Sequence, residues 1–183
     1  MDPVSALTWT DLPTTPALER PDLLAAPVAA AVAGLADPAA ARVVEIDPDL
    51  ADTAAMTQAY GAPLEASFNC VVVAGRRDGE ERIAACVVRA DTRADVNGLV
   101  KRTLDVRKCS FLPTDRAVAE SGMEHGGITP LGLPAGWRVL VDARVREADV
   151  VILGSGVRRS KLLVPGAVLA AAPGVEVVEG LGR

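Results

Sequence analysis

The sequence is poor in aromatic residues and in histidine. Only 3% of its 183 residues are aromatic, and His125 is the single histidine. Half of the residues are hydrophobic, so the core must be built from Val, Leu, Ile and Ala. This composition is typical of a globular protein rather than a disordered one. The length predicts one domain with a substantial buried core.

Cysteine is also scarce, and its spacing excludes the common metal sites. Cys70, Cys86 and Cys109 are widely separated, and no CxxC pair exists. One histidine cannot complete a recognisable zinc set with them. We therefore expect reduced, mostly buried thiols, a cytoplasmic location, and neither a metal nor a cofactor.

An excess of positive charge and long hydrophobic runs are both lacking. The net charge of −5 argues against an extended nucleic-acid groove and against a DNA partner, although it permits contact with a nucleic-acid end. The beginning of the chain lacks the pattern of a signal peptide. The longest apolar run, LLAAPVAAAVAGLA, is too short to span a bilayer and contains Pro27. We expect a soluble protein without a membrane partner, as a monomer or weak homodimer.

Local signals predict a mixture of hairpins and helices. Asp78-Gly79, between two β-branched runs, is typical of a hairpin turn. Asp95 is a predicted N-cap for a helix around Val96–Leu104, and Gly61 a predicted C-cap for a helix over DLADTAAMTQAYG. Further helices are predicted at 22–35, PTDRAVAESG (ending at Gly122) and GAVLAAA, and strands at RVVEID, KCSFL, RVLVDA, DVVILGSG, KLLVP and VEVVEGL. Without a regular βαβ alternation, these elements predict an α+β fold with a curved, mixed, largely antiparallel sheet flanked by helices.

Two glycine-containing segments are candidates for a binding site. MEHGGITPLGLP, from Met123 to Pro134, combines glycines, prolines and the only histidine in one loop. GSGVRRSK, from Gly154 to Lys161, fails both the Walker pattern and the dinucleotide fingerprint, and is predicted as a turn between two strands. The two loops could face each other across one pocket.

Other candidates have weaker signals. Asp142 ends a strand, where carboxylates commonly cap turns, and Cys70 with His125 could form a nucleophile–base pair, although such a cysteine is usually core. A basic cluster is typical of a solvated face, with a landing patch for phosphates as the alternative. Its members are Lys101, Arg102, Arg107 and Lys108, with weak support from Arg158, Arg159 and Lys161.

GGITPLGLP, followed by a strand, VDA, another strand and GSG, resembles the YbaK/prolyl-tRNA-synthetase-associated domain. The resemblance runs from about Asp49 to Leu169 and includes DVNGLVKRTLDVRKCSF. Proteins of this family are editing domains that hydrolyse misacylated tRNA. The resemblance implies a YbaK-like domain over 41–183, preceded by an N-terminal arm and an extra helix over 1–40, with residues 1–20 as the irregular arm.

The resemblance also implies the chemistry and the partner. The reaction is hydrolysis of the ester between an amino acid and the terminal adenosine of tRNA, so the acceptor end of aminoacyl-tRNA is the expected partner. Backbone amides would stabilise the oxyanion, with assistance from the ribose hydroxyl of the substrate. The predicted catalytic residues are Asn69, Gly126 and Gly127. The predicted substrate-binding residues are His125, Thr129, Pro130, Gly132, Asp142, Gly154, Gly156, Lys101 and Arg158.

Two departures from the family pattern keep alternatives open. Asn69, in SFNC, stands where the family carries a lysine, and Gly154 where many relatives carry serine or histidine. Asparagine can donate a hydrogen bond but brings no charge. The alternative hypothesis is a catalytically silent module that binds an aminoacyl-type ligand or a protein partner. A thiol hydrolase using Cys70 and His125 is the third.

Overall fold

A computed structural model of the protein describes residues 12–183, so the first eleven residues of the predicted arm lie outside the described residues. Within this range, nine strands form two sheets. The four-stranded sheet is antiparallel and has the order β1-β2-β8-β7. Its strands are β1 (Thr15–Pro16), β2 (Arg42–Glu45), β7 (Val151–Gly154) and β8 (Ser160–Val164).

The five-stranded sheet has the order β5-β3-β4-β6-β9. Its strands are β3 (Phe68–Arg77), β4 (Glu80–Arg89), β5 (Cys109–Phe111), β6 (Trp137–Asp142) and β9 (Val175–Val178). The pairs β3–β4 and β3–β5 are antiparallel, whereas β4–β6 and β6–β9 are parallel. The predicted α+β class with largely antiparallel pairing is confirmed, and the strands divide into two sheets that touch at a bridge between Ser67 and Ile152.

The predicted hairpin is confirmed by its backbone geometry. Asp78 and Gly79 have φ values of 51° and 85° and connect β3 to β4. Positive φ at both central residues is the condition for the tight turn whose twist matches the flanking strands. The predicted caps at Gly61 and Gly122 are likewise in the left-handed conformation at the ends of their helices.

The described α-helices are short, and two predictions were too long: the helix predicted over DLADTAAMTQAYG begins only at Thr53, after a 3₁₀ turn over Pro48–Leu50, and the one predicted at 22–35 is also shorter. The α-helices are α1 (Ala26–Ala33), α2 (Thr53–Tyr60), α3 (Lys101–Thr103), α4 (Thr114–Ser121) and α5 (Gly166–Ala170). Residues 22–35 do not form one helix, because a 3₁₀ turn over Pro21–Leu23 precedes α1. Pro27 accounts for the break, since it lacks an N–H and is tolerated only in the first turn of a helix. Among the helices of the described range, none is both long and apolar enough to cross a membrane.

Asp95 caps its helix as predicted, but the first turn is unusual. The Asp95 carboxylate accepts a hydrogen bond of 2.7 Å from the Leu99 N–H. The turn over Val96–Val100 is a π-helix, and only α3 continues it in α-helical form. A Cβ at Gly98 would collide with the Asp95 carboxylate, so glycine permits this wide turn to close on its cap.

The segment before β2 is part of the main hydrophobic core. Val28 and Val32 of α1 are fully buried in the same cluster as Leu153 and Leu162 of the four-stranded sheet. Two hydrogen bonds join the segment to the turn between β7 and β8: Ala25 N–H donates to the Ser155 carbonyl at 3.1 Å, and the Ser160 hydroxyl donates to the Leu23 carbonyl at 2.6 Å. The N-terminal segment therefore fixes the back of the glycine-rich turn.

Candidate functional site

A cavity of about 450 Å³ lies where the two sheets diverge, beside the beginning of β3. β5 pairs only with Val73–Gly75 of β3, so the edge of β3 before Val73 has no strand partner on that side. The volume falls within the range of small-molecule sites. The cavity is lined by Ala51, Asp52, Thr53, Phe68, Asn69, Cys70, Val71, Val72, Phe111, Leu112, Thr114, Ala117, His125, Gly126, Ile128, Gly154 and Lys161.

Asn69 lies in this lining and is oriented by Thr53. The Thr53 hydroxyl, at the beginning of α2, donates a hydrogen bond of 2.8 Å to Asn69 Oδ1. Since the amide oxygen is occupied, the Nδ2 group is left as a donor. Asn69 can therefore offer hydrogen bonds to an oxygen atom in the cavity.

Lys161 enters the same lining from β8, where it pairs with Gly154 of β7. Desolvation lowers the pKa of Lys161 to about 8. The Asp52 carboxylate opposes this effect and raises the pKa, whereas the nearby Arg158 guanidinium lowers it further. Lysine is therefore mostly protonated at neutral pH but titrates within reach of it. The site thus contains a cation as well as amide donors.

Arg158 holds the rim of the cavity together. Its guanidinium donates to the carbonyl groups of Pro48 and His125 at 3.1 and 3.3 Å and lies 3.9 Å from the Asp52 carboxylate. Its backbone N–H donates to the Glu124 carboxylate at 2.7 Å. The contacts join the turn before α2 to the loop after α4, so Arg158 is placed to fix the cavity mouth.

The two glycine-containing loops meet, and their backbones are hydrogen-bonded to each other. Gly156 N–H donates to the Gly127 carbonyl and Glu124 N–H to the Gly156 carbonyl, each at 2.8 Å. A Cβ on Gly154 would lie 2.5 Å from the Gly127 carbonyl oxygen, so no larger residue fits that contact. This close approach explains why position 154 is glycine, although many relatives of the resembled family carry serine or histidine there.

The amides of the first loop differ in their availability. Gly127 N–H donates to the Glu124 carbonyl at 2.9 Å, so in this conformation it cannot serve an oxyanion. Gly126 and Ile128 line the cavity, and within residues 12–183 their N–H groups donate to no protein acceptor. Gly126 has φ +77°, a conformation that favours glycine. The available donors are therefore those of Gly126 and Ile128.

Several predicted site residues lie outside this cavity lining. Thr129 is fully buried, and its hydroxyl has no hydrogen-bond partner among the described residues. A Cβ on Gly132 would collide with the Pro27 carbonyl, and one on Gly156 with Ala25, so both glycines serve contacts with the N-terminal segment. The other residues outside the lining are Gly127, Pro130, Asp142, Lys101 and Arg158, of which Arg158 lies at the rim.

Asp142 has a clear structural environment. Its carboxylate is almost fully buried and accepts hydrogen bonds from the N–H groups of Arg144 at 3.0 Å and Gly182 at 2.7 Å. The Arg144 guanidinium adds an ion pair at 3.2 Å. Asp142 therefore fastens the end of the described chain to β6.

Cys70 and His125 both line the cavity, but the thiol is not activated. Burial raises the pKa of Cys70 well above its ordinary value, so the thiol stays protonated at neutral pH. This protonation weighs against the thiol hydrolase hypothesis. Among residues 12–183, no group of three or more potential ligand side chains is placed to hold a metal ion.

Most of the cavity lining was not predicted as a site from the sequence, and Thr53, Phe111 and Lys161 are three such residues, although Lys161 was named as weak support for a phosphate-landing patch. Lys161 follows Arg158, Arg159 and Ser160 in the chain, so its local sequence does not distinguish it from an ordinary solvated basic run. Phe111 is 66% exposed, although aromatic residues are rare in this chain. Thr53 carried no distinguishing signal, since threonine is common at the beginning of helices.

Comparison with known proteins identifies the family. The aminoacyl-tRNA editing domain family matches residues 47–172, which is more than half of the chain. No curated protein matches the sequence significantly.

Solved structures share the fold at low sequence identity. A candidate trans-editing enzyme for prolyl-tRNA synthetase is 19% identical, with a TM-score of 0.64 over 77% of this chain and 85% of that one. A protein from a study of computational epitope grafting onto scaffolds is 20% identical, with a TM-score of 0.71 over 87% of this chain and 97% of that one. A candidate signal transduction protein from Marinobacter aquaeolei VT8 is 18% identical, with a TM-score of 0.54 over 82% of this chain but 30% of that one. At these identities the likeness concerns the fold.

Proposed function

The chain belongs to the aminoacyl-tRNA editing domain family, and we propose that it hydrolyses misacylated tRNA in trans, in the cytoplasm. The observation that carries the proposal is the composition of the cavity wall. Gly126, Ile128 and Asn69 line one cavity of about 450 Å³, and within residues 12–183 the backbone N–H groups of Gly126 and Ile128 have no acceptor. Such a set of donors suits a carbonyl oxygen that gains negative charge.

The chemistry that we propose is ester hydrolysis through a tetrahedral intermediate. A water oxygen bonds to the ester carbonyl carbon, the bond from that carbon to the ribose oxygen breaks, and the ribose oxygen takes up the proton that the water loses, which leaves the free amino acid and the ribose hydroxyl. The donors of the cavity wall stabilise the negative charge on the former carbonyl oxygen. Removing one such donor from an enzyme typically costs about 10²–10³ in kcat.

An exposed aromatic residue at the rim of the cavity suits the binding of a nucleoside, as found at the end of a tRNA. Phe111 is the most exposed of the large hydrophobic residues in the described range, at 66%, and it lies in the cavity lining at the edge strand β5. Stacking of a base on an aromatic ring contributes about 1–3 kcal/mol. We propose that the terminal adenine stacks on Phe111, so that an acidic protein needs to hold only the acceptor end.

The experiment is deacylation of tRNA charged with Ala, Ser, Thr, Cys or Pro, with wild type, Asn69→Ala and Asn69→Lys. Asn97→Ala is the matched control, because Asn97 is exposed and lies outside the cavity lining. We expect wild type to hydrolyse at least one of these tRNAs, Asn69→Ala to lose at least tenfold in kcat/KM, and the control to keep its rate.

Two results would contradict the proposed deacylase activity. Wild type that is inert while Asn69→Lys gains activity would favour the catalytically silent module, for which Asn69 is the distinguishing residue. Wild type that neither hydrolyses nor binds any of the charged tRNAs would remove the aminoacyl-tRNA proposal altogether.

A further inference from the structure

Lys161 is a partly buried cation without a partner in the described protein. Within residues 12–183, no carboxylate lies within 4.0 Å of its ammonium, and the ammonium makes no hydrogen bond. Charged groups that leave water are normally paired, because desolvation costs free energy that a partner must offset. An unpaired ammonium in a cavity wall is therefore a candidate for binding something that the protein itself does not supply.

The strand alternation explains why Lys161 points away from the main core. Its neighbours in β8 are Ser160, which bonds to the Leu23 carbonyl, and Leu162, which is fully buried in the main core. Successive side chains of a strand point to opposite faces. Lys161 therefore shares its face with Leu163, on the side of α2, and lies at the boundary between the cavity and a small hollow of about 30 Å³ that Met56 and Ile152 also line.

The one acidic group that affects Lys161, the Asp52 carboxylate, lies beside another cation. Asp52 raises the pKa of Lys161, but its carboxylate lies 3.9 Å from the Arg158 guanidinium and is itself mostly exposed. Asn69 borders the same hollow, and within residues 12–183 its Nδ2 group donates to no acceptor, whereas its Oδ1 accepts from Thr53. Beside the ammonium, the cavity therefore holds the Asn69 amide as a second free donor, and its one carboxylate near Lys161, that of Asp52, lies beside Arg158.

We propose that Lys161 is the anion-binding residue of this site, and that its ammonium and the Asn69 amide together receive an anionic oxygen of the aminoacyl-tRNA end. The inference rests on the proposed function for the identity of the substrate. Two oxygens have this chemistry: the phosphate on the 5′ side of the terminal adenosine, and the oxyanion of the tetrahedral intermediate. A positive charge stabilises either one, at different stages of the reaction.

The experiment compares wild type with Lys161→Met, which keeps the chain length and removes the charge, and Lys161→Arg, which keeps the charge. Arg93→Met is the control, because it removes one positive charge from an exposed residue outside the cavity lining. kcat and KM are measured on the tRNA that wild type hydrolyses best. Binding of AMP and of adenosine is measured by calorimetry, which needs no turnover.

The two sources of the oxygen predict different results. For the phosphate, Lys161→Met raises KM about tenfold and abolishes the preference for AMP over adenosine. For the oxyanion, it lowers kcat about 100-fold and leaves AMP binding unchanged. In both cases Lys161→Arg retains part of the function, and Arg93→Met changes nothing.

Unchanged kcat, KM and AMP binding in Lys161→Met, each within twofold, would overturn the inference, as would an equal loss in Arg93→Met. Failure of the proposed function looks different. In that case no charged tRNA is hydrolysed, yet an AMP preference that depends on Lys161 would still support the anion site. Absence of both hydrolysis and AMP preference in wild type would overturn the two proposals together.

Discussion

The hydroxyl of Thr53 lies 2.8 Å from Asn69 Oδ1 and donates to it, and this hydrogen bond fixes the orientation of the amide of a residue that lines the cavity. Thr53 is the first residue of α2, whereas Asn69 lies near the beginning of β3. The orientation of the polar group in the site is therefore set by the docking of a helix onto a strand. The amide of a candidate site residue is thus oriented by a residue that lies in a different element.

Thr53→Val removes this hydrogen bond without changing the shape of the side chain. We expect kcat/KM for deacylation to fall about fivefold, because the loss of about 1 kcal/mol of orientation lets the amide turn its oxygen to the substrate. Thr57→Val is the matched control, since the Thr57 hydroxyl donates to the Ala62 carbonyl in the same helix region, outside the cavity lining. Equal losses in the two variants would show that Thr53 acts through stability alone.

Gly126→Ala tests whether the loop backbone takes part in the reaction. Gly126 has φ +77°, and a Cβ there would collide with the Arg158 guanidinium, so either the guanidinium leaves its place at the rim or the loop shifts. Gly174→Ala has nearly the same backbone strain at φ +78°, but meets nothing within 4 Å. We expect similar losses of about 1 kcal/mol in unfolding free energy. Only Gly126→Ala should also lose at least tenfold in kcat/KM, and a purely structural loop would give no such difference.

Lys161→Met is expected to raise stability at neutral pH. The pKa of Lys161 is lowered from 10.5 to about 8 in the folded protein, mainly by desolvation. Below pH 8 the folded state carries the full penalty of the charge, about 3 kcal/mol, and the penalty disappears as the pH rises from about 8 to 10.5. Urea unfolding should therefore show Lys161→Met more stable than wild type by roughly 1–3 kcal/mol at pH 7, with a smaller difference at pH 10.

The charged groups that act on Lys161 are Asp52 and Arg158, and the titratable residues Cys70 and His125 line the same cavity. The titration should be repeated in Asp52→Asn. This variant removes a carboxylate that raises the pKa of Lys161, so we expect that pKa to fall further. The protein with a protonated Lys161 should then have a lower unfolding free energy at pH 7. A Lys161→Met variant that is less stable than wild type at pH 7 would mean that the lysine has a structural partner.

Asp142→Ala should affect stability rather than substrate binding. The carboxylate is buried and accepts from the N–H groups of Arg144 and Gly182, which it holds to the end of β6. We expect a loss of about 3 kcal/mol in unfolding free energy, since hydrogen bonds to a charged group contribute about 1.5–3 kcal/mol each. Deacylation by the folded fraction should keep its KM. A raised KM at unchanged stability would instead restore the substrate-binding role predicted from the sequence.

Local features were predictable from the sequence because a few neighbouring residues decide them. Asp78-Gly79 and the caps at Gly61 and Gly122 are governed by backbone conformations that glycine adopts at little cost. The family resemblance was detectable from the sequence for the same reason, since a loop with glycine and proline in fixed order is a local pattern. The family match over residues 47–172 confirms it.

What the sequence could not reveal depends on contacts between distant segments. The side of β8 that faces the cavity follows from which sheet face α2 covers, and no local pattern encodes this for Lys161. Gly132 and Gly156 were predicted as pocket residues, whereas their tight contacts are with Pro27 and Ala25 in the N-terminal segment. The division into two sheets has the same origin, because strand partners here are often far apart in the chain.

The range matched by the family and the range needed for the fold differ, because the N-terminal segment before residue 47 belongs to the four-stranded sheet and the core. The family match begins at residue 47, but β2 ends at Glu45 and is an inner strand between β1 and β8. A chain cut at residue 47 would uncover the edge of β8, the strand that carries Lys161, and would remove Val28 from the core. A fragment limited to the family match would therefore lack an inner strand of the four-stranded sheet.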